Sequence, residues 1–201
     1  MEASTESPVG PRFLAAVGKA AYYHAGQYRK GTEIPYLAHV LAVAALVLED
    51  EGTEDEAIAA LLHDAIEDAE GGVDAEGQIR EEFGEVVVSI VKSCSDTEVK
   101  PKPKWHARKQ HYLEHLQDES VPHSVLRVSL ADKLHNARAI LWDYRLVGDT
   151  LWERFSTGSG ADQRWYYERL AEIFLSRCPG PMADELDRVV REIADMSLVR
   201  R

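Results

Sequence analysis

The segment Thr53-Glu54-Asp55-Glu56-Ala57-Ile58-Ala59-Ala60-Leu61-Leu62-His63-Asp64-Ala65-Ile66-Glu67-Asp68 decides how the chain folds. Thr53 with Glu56 has the form of a capping box, in which hydroxyl and carboxylate each satisfy a free amide of a first helical turn. The apolar run that follows predicts one helix from Thr53 to about Asp68. On that helix His63 stands one turn before Glu67 and Asp64 one turn before Asp68, so two polar columns interrupt an apolar surface. Three carboxylates this close repel unless a cation or protons neutralise them. A solvated acidic helix end is the alternative, although acidic groups there oppose the helix dipole.

Helical spacing continues on both sides. Upstream, Phe13, Val17, Ala20, Ala21, His24 and Tyr28 fall on one stripe, and Val40 to Glu49 forms a helix before Gly52, which suits a left-handed turn. Downstream, Gly71 and Gly72 break the chain, a short helix ends at Phe83-Gly84, and Glu85 to Ser93 forms another. Beyond the Pro101-Pro103 loop, helices are expected at Trp105 to Leu116, Val125 to Trp142, Gln163 to Arg177 and Met182 to Met196. Period-two alternation is absent, so the fold class is all-α, a single bundle of roughly eight or more helices. Residues 1–12 read as a flexible N-terminal tail and residues 13–201 as one domain.

The net charge of −12, from 23 basic and 35 acidic residues, repels nucleic acid over most of the surface. Cys94 and Cys178 stand far apart outside any CxxC pairing, which argues against a disulfide framework or a zinc-thiolate site and points to the cytoplasm. The longest apolar run, Val40 to Leu48, falls far short of the roughly 20 residues that span a bilayer. A small molecule is the expected partner, without nucleic acid or membrane, and the oligomeric state is unknown at this level.

Two further segments place ligand-type residues in apolar helices: Tyr36-Leu37-Ala38-His39 and Ser129-Leu130-Ala131-Asp132-Lys133-Leu134-His135-Asn136. With His24-Ala25-Gly26-Gln27-Tyr28-Arg29-Lys30, the His63-Asp64 segment, Phe83-Gly84, Ser95-Asp96 and Ala137-Arg138, they form an ordered series. In order, spacing and residue type the series resembles the HD superfamily, specifically the hydrolase domain of RelA/SpoT-type alarmone enzymes and their small relatives without a synthetase domain. The resemblance implies an HD-domain bundle with His39, His63, Asp64 and Asp132 holding one divalent cation, usually Mn²⁺. It implies that Glu67 and Asp68 orient a water and move its proton, and that the reaction is hydrolysis of the 3′-pyrophosphate of (p)ppGpp. The donor set agrees: two imidazoles and two carboxylates are softer than an all-oxygen cage and lack the thiolates of structural zinc. His135 is expected to pack or to support a ligand rather than to bind metal.

A substrate with several phosphates needs cations. Lys100, Lys102, Lys104, Arg108 and Lys109 cluster around the proline loop, and Arg29 with Lys30 forms a second basic site, a solvated basic face being the alternative for the loop. The resemblance puts Arg29 against the nucleotide base, which suits a planar guanidinium, and Asn136 on the sugar or its phosphate. Two departures from the family stand out: His39-Val40 replaces the common His-Pro, and Asn136-Ala137-Arg138-Ala139 replaces Asn-Met-Arg-Thr, with loss of a hydroxyl. Trp152 to Gly160 lacks the lysine of a P-loop and reads as a flexible connection near the pocket; Trp165-Tyr166-Tyr167 reads as core. The base stays open. The alternatives are (p)ppApp, NADPH or, without catalysis, a nucleotide sensor that should have lost a ligand or the acidic pair.

Overall fold

Each long apolar stretch becomes an α-helix. The computed structural model describes residues 9–68, 74–95 and 103–199. In order these form α1 (Pro11–Tyr23), α2 (Tyr36–Glu49), α3 (Glu54–Leu62), α4 (Ala65–Asp68), α5 (Ala75–Phe83), α6 (Glu85–Cys94) and α7 (Trp105–Gln117). They continue as α8 (His123–Val147), a 3-10 helix (Gly148–Arg154), α9 (Gly160–Arg177) and α10 (Pro181–Val199). The all-α class holds among the described residues, where an isolated bridge joins Tyr28 to Pro35. No described helix is long and apolar enough to cross a membrane.

α3 sits at the centre because Ala57 to Leu62 is apolar on every side, and a helix of that kind must be covered all round. α1, α2, α6 and α8 cover it. The 25-residue α8 joins the two halves of the molecule: it packs on α2, α3 and α6, and also on α9 and α10. Asp132, on the same helix, therefore faces the elements that carry His39 and His63.

The structure moves several boundaries. α3 ends at Leu62 rather than continuing to Asp68, and α4 restarts at Ala65. The cause is local: His63 Nδ1 lies 2.8 Å from the Ala60 carbonyl oxygen, which an unbroken helix would offer to the amide of Asp64. α1 stops at Tyr23, so Tyr28 is not on its stripe. Arg29 N instead donates to Ile34 O at 2.9 Å and Tyr36 N to Gln27 O at 2.9 Å, closing a loop ahead of α2. Residues 10–12 are not tail: Gly10 N donates to Glu54 Oε1 at 2.6 Å, and Arg12 bonds Glu54 and the Phe83 carbonyl. Gly71, Gly72, Asp96, Lys100, Pro101 and Lys102 lie outside the described residues.

At the α2–α3 corner the left-handed residue is Glu51, with φ 59°, and not Gly52. Gly52 is required for closeness instead, since a Cβ there would stand 2.7 Å from the Val47 carbonyl oxygen. The expected capping box is present: Thr53 accepts from Glu56 N, and Thr53 N donates to the Glu56 carboxylate. The same buried carboxylate accepts from Arg127 Nη1 at 2.7 Å, while Arg127 Nε reaches Asp50 at 2.9 Å. Burial works against the ionised Glu56, but the Thr53 and Arg127 hydrogen bonds outweigh it and lower its pKa.

Removing Arg127 leaves Glu56 buried with only its cap. Arg127→Ala is expected to destabilise the fold by roughly 2–4 kcal/mol in denaturant unfolding, the guanidinium's partial exposure placing the loss near the low end for a broken ion pair. A loss below about 0.5 kcal/mol would show that the cap alone holds the carboxylate.

Candidate metal centre and adjoining pocket

His39 lies on the first turn of α2, His63 and Asp64 at the break between α3 and α4, and Asp132 in the first half of α8. Three separate stretches of sequence thus meet at one point. His63 Nε2 stands 2.9 Å from Asp64 Oδ2 and 3.6 Å from Asp132 Oδ1, and His39 Nε2 stands 3.2 Å from the same Asp132 oxygen. One ligand-type atom from each of His39, His63 and Asp64 falls within 4.8 Å of the others. Both imidazoles are buried, and neither Nε2 makes a hydrogen bond among the described residues.

Orphaned buried imidazole nitrogens aimed at two carboxylates fit a divalent cation. The surrounding bonds orient the same atoms. His63 donates through Nδ1 to Ala60 O, which leaves Nε2 as the ligand atom. His39 Nδ1 lies 2.8 Å from His135 Nδ1, so His135 supports His39 from behind, as expected of it. Tyr36 donates its hydroxyl to Asp64, and Lys133 donates Nζ to Asp132. Asn136 donates through Nδ2 to Asp132 Oδ1 at 2.6 Å and accepts at its Oδ1 from Arg29 Nη2 at 3.0 Å, so a chain of bonds runs from the basic loop to the centre.

The electrostatics follow from burying these charges together. Burial opposes a charged His63, but Asp64 and Asp132 overcome it and hold its pKa well above the ordinary value. Burial wins at His39, whose pKa is lowered. Burial also disfavours the ionised carboxylates, yet His63 keeps Asp64 far below its usual range, and Lys133 with the two histidines does the same for Asp132. Burial, then the His39 and Arg29 charges, push His135 down to about 4. A neutral His135 is what an acceptor behind His39 must be.

Beside the centre a cavity of about 540 Å³ opens, and His39 belongs to both. Of the expected substrate residues, Arg29, Lys30, Lys109 and Asn136 line it. Lys104 and Arg108 do not: Lys104 is exposed ahead of α7, and the wall there is made by Trp105. Glu67 is half-buried in α4 and stands outside the group of converging ligand atoms; the Asp68 side chain lies outside the described residues. Tyr166 and Tyr167 are core, as read, and wall as well. The stretch from Trp152 is not simply a flexible connection, because it begins inside the 3-10 helix with Leu151 and Trp152 buried and presents Arg154 and Phe155 to the cavity. The sequence reading passed over Lys133, Asp143 and Arg154. Asp143 was findable, since it lies on the Asp132 face of α8, eleven residues or three turns on.

A model of the HD domain matches residues 16–152. The chain belongs to the HD-domain family. Within it, the Xenopus tropicalis protein named guanosine-3′,5′-bis(diphosphate) 3′-pyrophosphohydrolase MESH1 is 37% identical over 131 residues, 62% of this chain and 67% of that protein. A Haemophilus influenzae guanosine-3′,5′-bis(diphosphate) 3′-pyrophosphohydrolase is 34% identical over 121 residues, but these make up only 17% of its length. Among solved structures, a metazoan ortholog of SpoT superposes with a TM-score of 0.73 at 23% identity, over 94% of this chain and 98% of its own, which shows the shared HD-domain fold. A Listeria monocytogenes protein gives a TM-score of 0.66 at 30% identity, over 78% of this chain and 99% of its own.

The raised His63 pKa has a definite sign. A proton on His63 stabilises the metal-free fold fully below the ordinary histidine value, and that contribution is lost as pH rises through the raised folded value. A cation needs the same nitrogen, so proton and metal compete. The increase in melting temperature caused by a fixed Mn²⁺ concentration is expected to be larger at about pH 8 than at about pH 6, and absent in His63→Ala. An equal increase at both pH values would remove His63 from the ligand set.

Proposed function

We propose that this HD domain hydrolyses the 3′-pyrophosphate of guanosine 3′,5′-bis(diphosphate) and its pentaphosphate, giving GDP or GTP and pyrophosphate. The observation that carries the reading is the junction of a buried His39, His63, Asp64 and Asp132 cluster with a cation-lined cavity of about 540 Å³. The names of the MESH1 relatives support the same substrate. The four residues would hold one divalent ion, Mn²⁺ by the family resemblance, which when bound would lower the pKa of a water and polarise a phosphoryl oxygen.

The chain's own residues supply the rest. Arg29 and Lys109 lie along the cavity wall, where they offset the charge of a phosphate-rich ligand in an otherwise acidic protein. Arg29 presents a planar guanidinium to the base, and Asn136, one turn beyond Asp132, lies where the sugar follows from the reacting phosphate. Glu67, with Asp68 next to it, is assigned to accepting the proton of the attacking water. His135 and Ala60 fix the outer nitrogens of the two histidines, so the ligand nitrogens do not rotate away.

With added Mn²⁺, the purified protein is expected to release pyrophosphate from (p)ppGpp. Asp64→Ala should abolish the release, and Glu67→Gln should lower kcat by roughly a hundredfold or more while leaving the Mn²⁺-induced melting shift in place. Assays with (p)ppApp and NADPH, separating pyrophosphate from phosphate, check the alternatives. Activity surviving Asp64→Ala would sink the metal assignment. No pyrophosphate from any 3′-pyrophosphorylated purine would favour a nucleotide sensor.

A further inference from the structure

One side of the cavity is formed by α8. Lys133, Asn136, Ala139, Ile140 and Asp143 all line it, at successive steps along one face of the helix. Asp143 follows Asp132 by eleven residues, about 16 Å at the rise of an α-helix, so it stands well away from the metal centre. The metal centre occupies one end. At the other, Arg154 of the 3-10 helix donates Nη1 to Asp143 Oδ2 at 2.8 Å.

This far end is built rather than incidental. The Arg154 stem lies against the loop that carries Arg29: a Cβ on Gly31, whose φ is 73°, would stand 2.8 Å from Arg154 Cδ, so the two pack closely. Phe155 and Trp142 flank the pair, and Trp142 is 65% exposed although it lines the groove, an aromatic face open to a stacking partner. The charges also differ from those nearer the centre. Lys30 and Lys109 suit phosphates, whereas Asp143 would repel a phosphate and neutralises Arg154. A neutral ligand edge bearing a donor beside an acceptor matches a neutral pair offering an acceptor beside donors.

We propose that Asp143 and Arg154 read the edge of the purine base and select guanine over adenine. Guanine presents O6 beside N1–H, an acceptor followed by a donor; adenine presents N6–H₂ beside N1, the reverse order. Arg154 donates to O6 through the N–H groups not engaged by Asp143, and Asp143 accepts from N1–H through Oδ1. With the phosphates fixed at the metal end, the edge meets the pair in one sense, so adenine brings donor to donor and acceptor to acceptor. The base assignment rests on the nucleotide reading above and gives it the specificity that Arg29, stacking on any purine, does not supply.

The test compares equilibrium binding of GDP and ADP, and kcat/KM for ppGpp and ppApp, in the wild type, Asp143→Asn and Arg154→Lys. The wild type is expected to favour guanine by about tenfold or more in both measurements, and each variant to bring the ratio to within about threefold. Arg154→Lys keeps the ion pair but not the fork, so a purely structural salt bridge would leave the ratio unchanged. Unchanged ratios in both variants, a wild-type preference for adenine, or binding of neither nucleotide overturns the proposal. Guanine preference that collapses in the variants, without hydrolysis of either substrate, would retain it while removing the hydrolase reading. Equal hydrolysis of both substrates would do the opposite.

Discussion

The rest of the structure depends on holding two imidazoles and two carboxylates together inside an apolar bundle. Burying charge without partners is costly, and at this point His63 is 2% exposed and the Asp132 side chain 7%. The cost is offset only because the groups face one another: Lys133 and His63 against Asp132, Tyr36 and His63 against Asp64, His135 behind His39. Each partner comes from a different helix or from the next residue of the same one. The centre therefore constrains α2, α3 and α8 to one arrangement, and the apolar all-round surface of α3 makes that arrangement the core of the fold.

The same constraint orders the pocket. Because Asp132 must face the histidines, the α8 positions that follow it at helical steps, Asn136 and Asp143, face the cavity too. A single helix thus carries a candidate metal-site carboxylate, a polar group one turn on and an acidic group three turns on, along one face. The loop before α2 closes the other side, and its Arg29 is tied back through Asn136 to Asp132. Substitutions in that chain of bonds would act on ligand orientation as well as on binding.

Much of this was legible in sequence. The capping box at Thr53 and Glu56, the helices from Trp105 onward and the metal-ligand candidates on three separate segments were readable, because capping, helical periodicity and the chemistry of clustered acids with histidine act over a few residues. What failed was also local but competitive. The helix through Asp68 broke at His63 because a side chain took the Ala60 carbonyl, and Tyr28 left its stripe because the backbone around Arg29 found partners in the next segment. Lys104 and Arg108, sound as charges, miss the wall because α7 turns Trp105 and Lys109 toward the cavity instead.

By itself the sequence determined the helical class, since periodicity acts within single elements, and its ordered motifs carried the resemblance that named the family and the candidate ligands His39, His63, Asp64 and Asp132. Only the tertiary structure decided which cations share the cavity, that His135 stands behind His39, and that Asp143 pairs with Arg154 across the end of the groove. Those facts depend on how helices far apart in sequence are packed. Side-chain spacing reports the face of one helix and is silent about its neighbour, and the relative placement is set by the burial of α3 and the convergence of charges that it shelters.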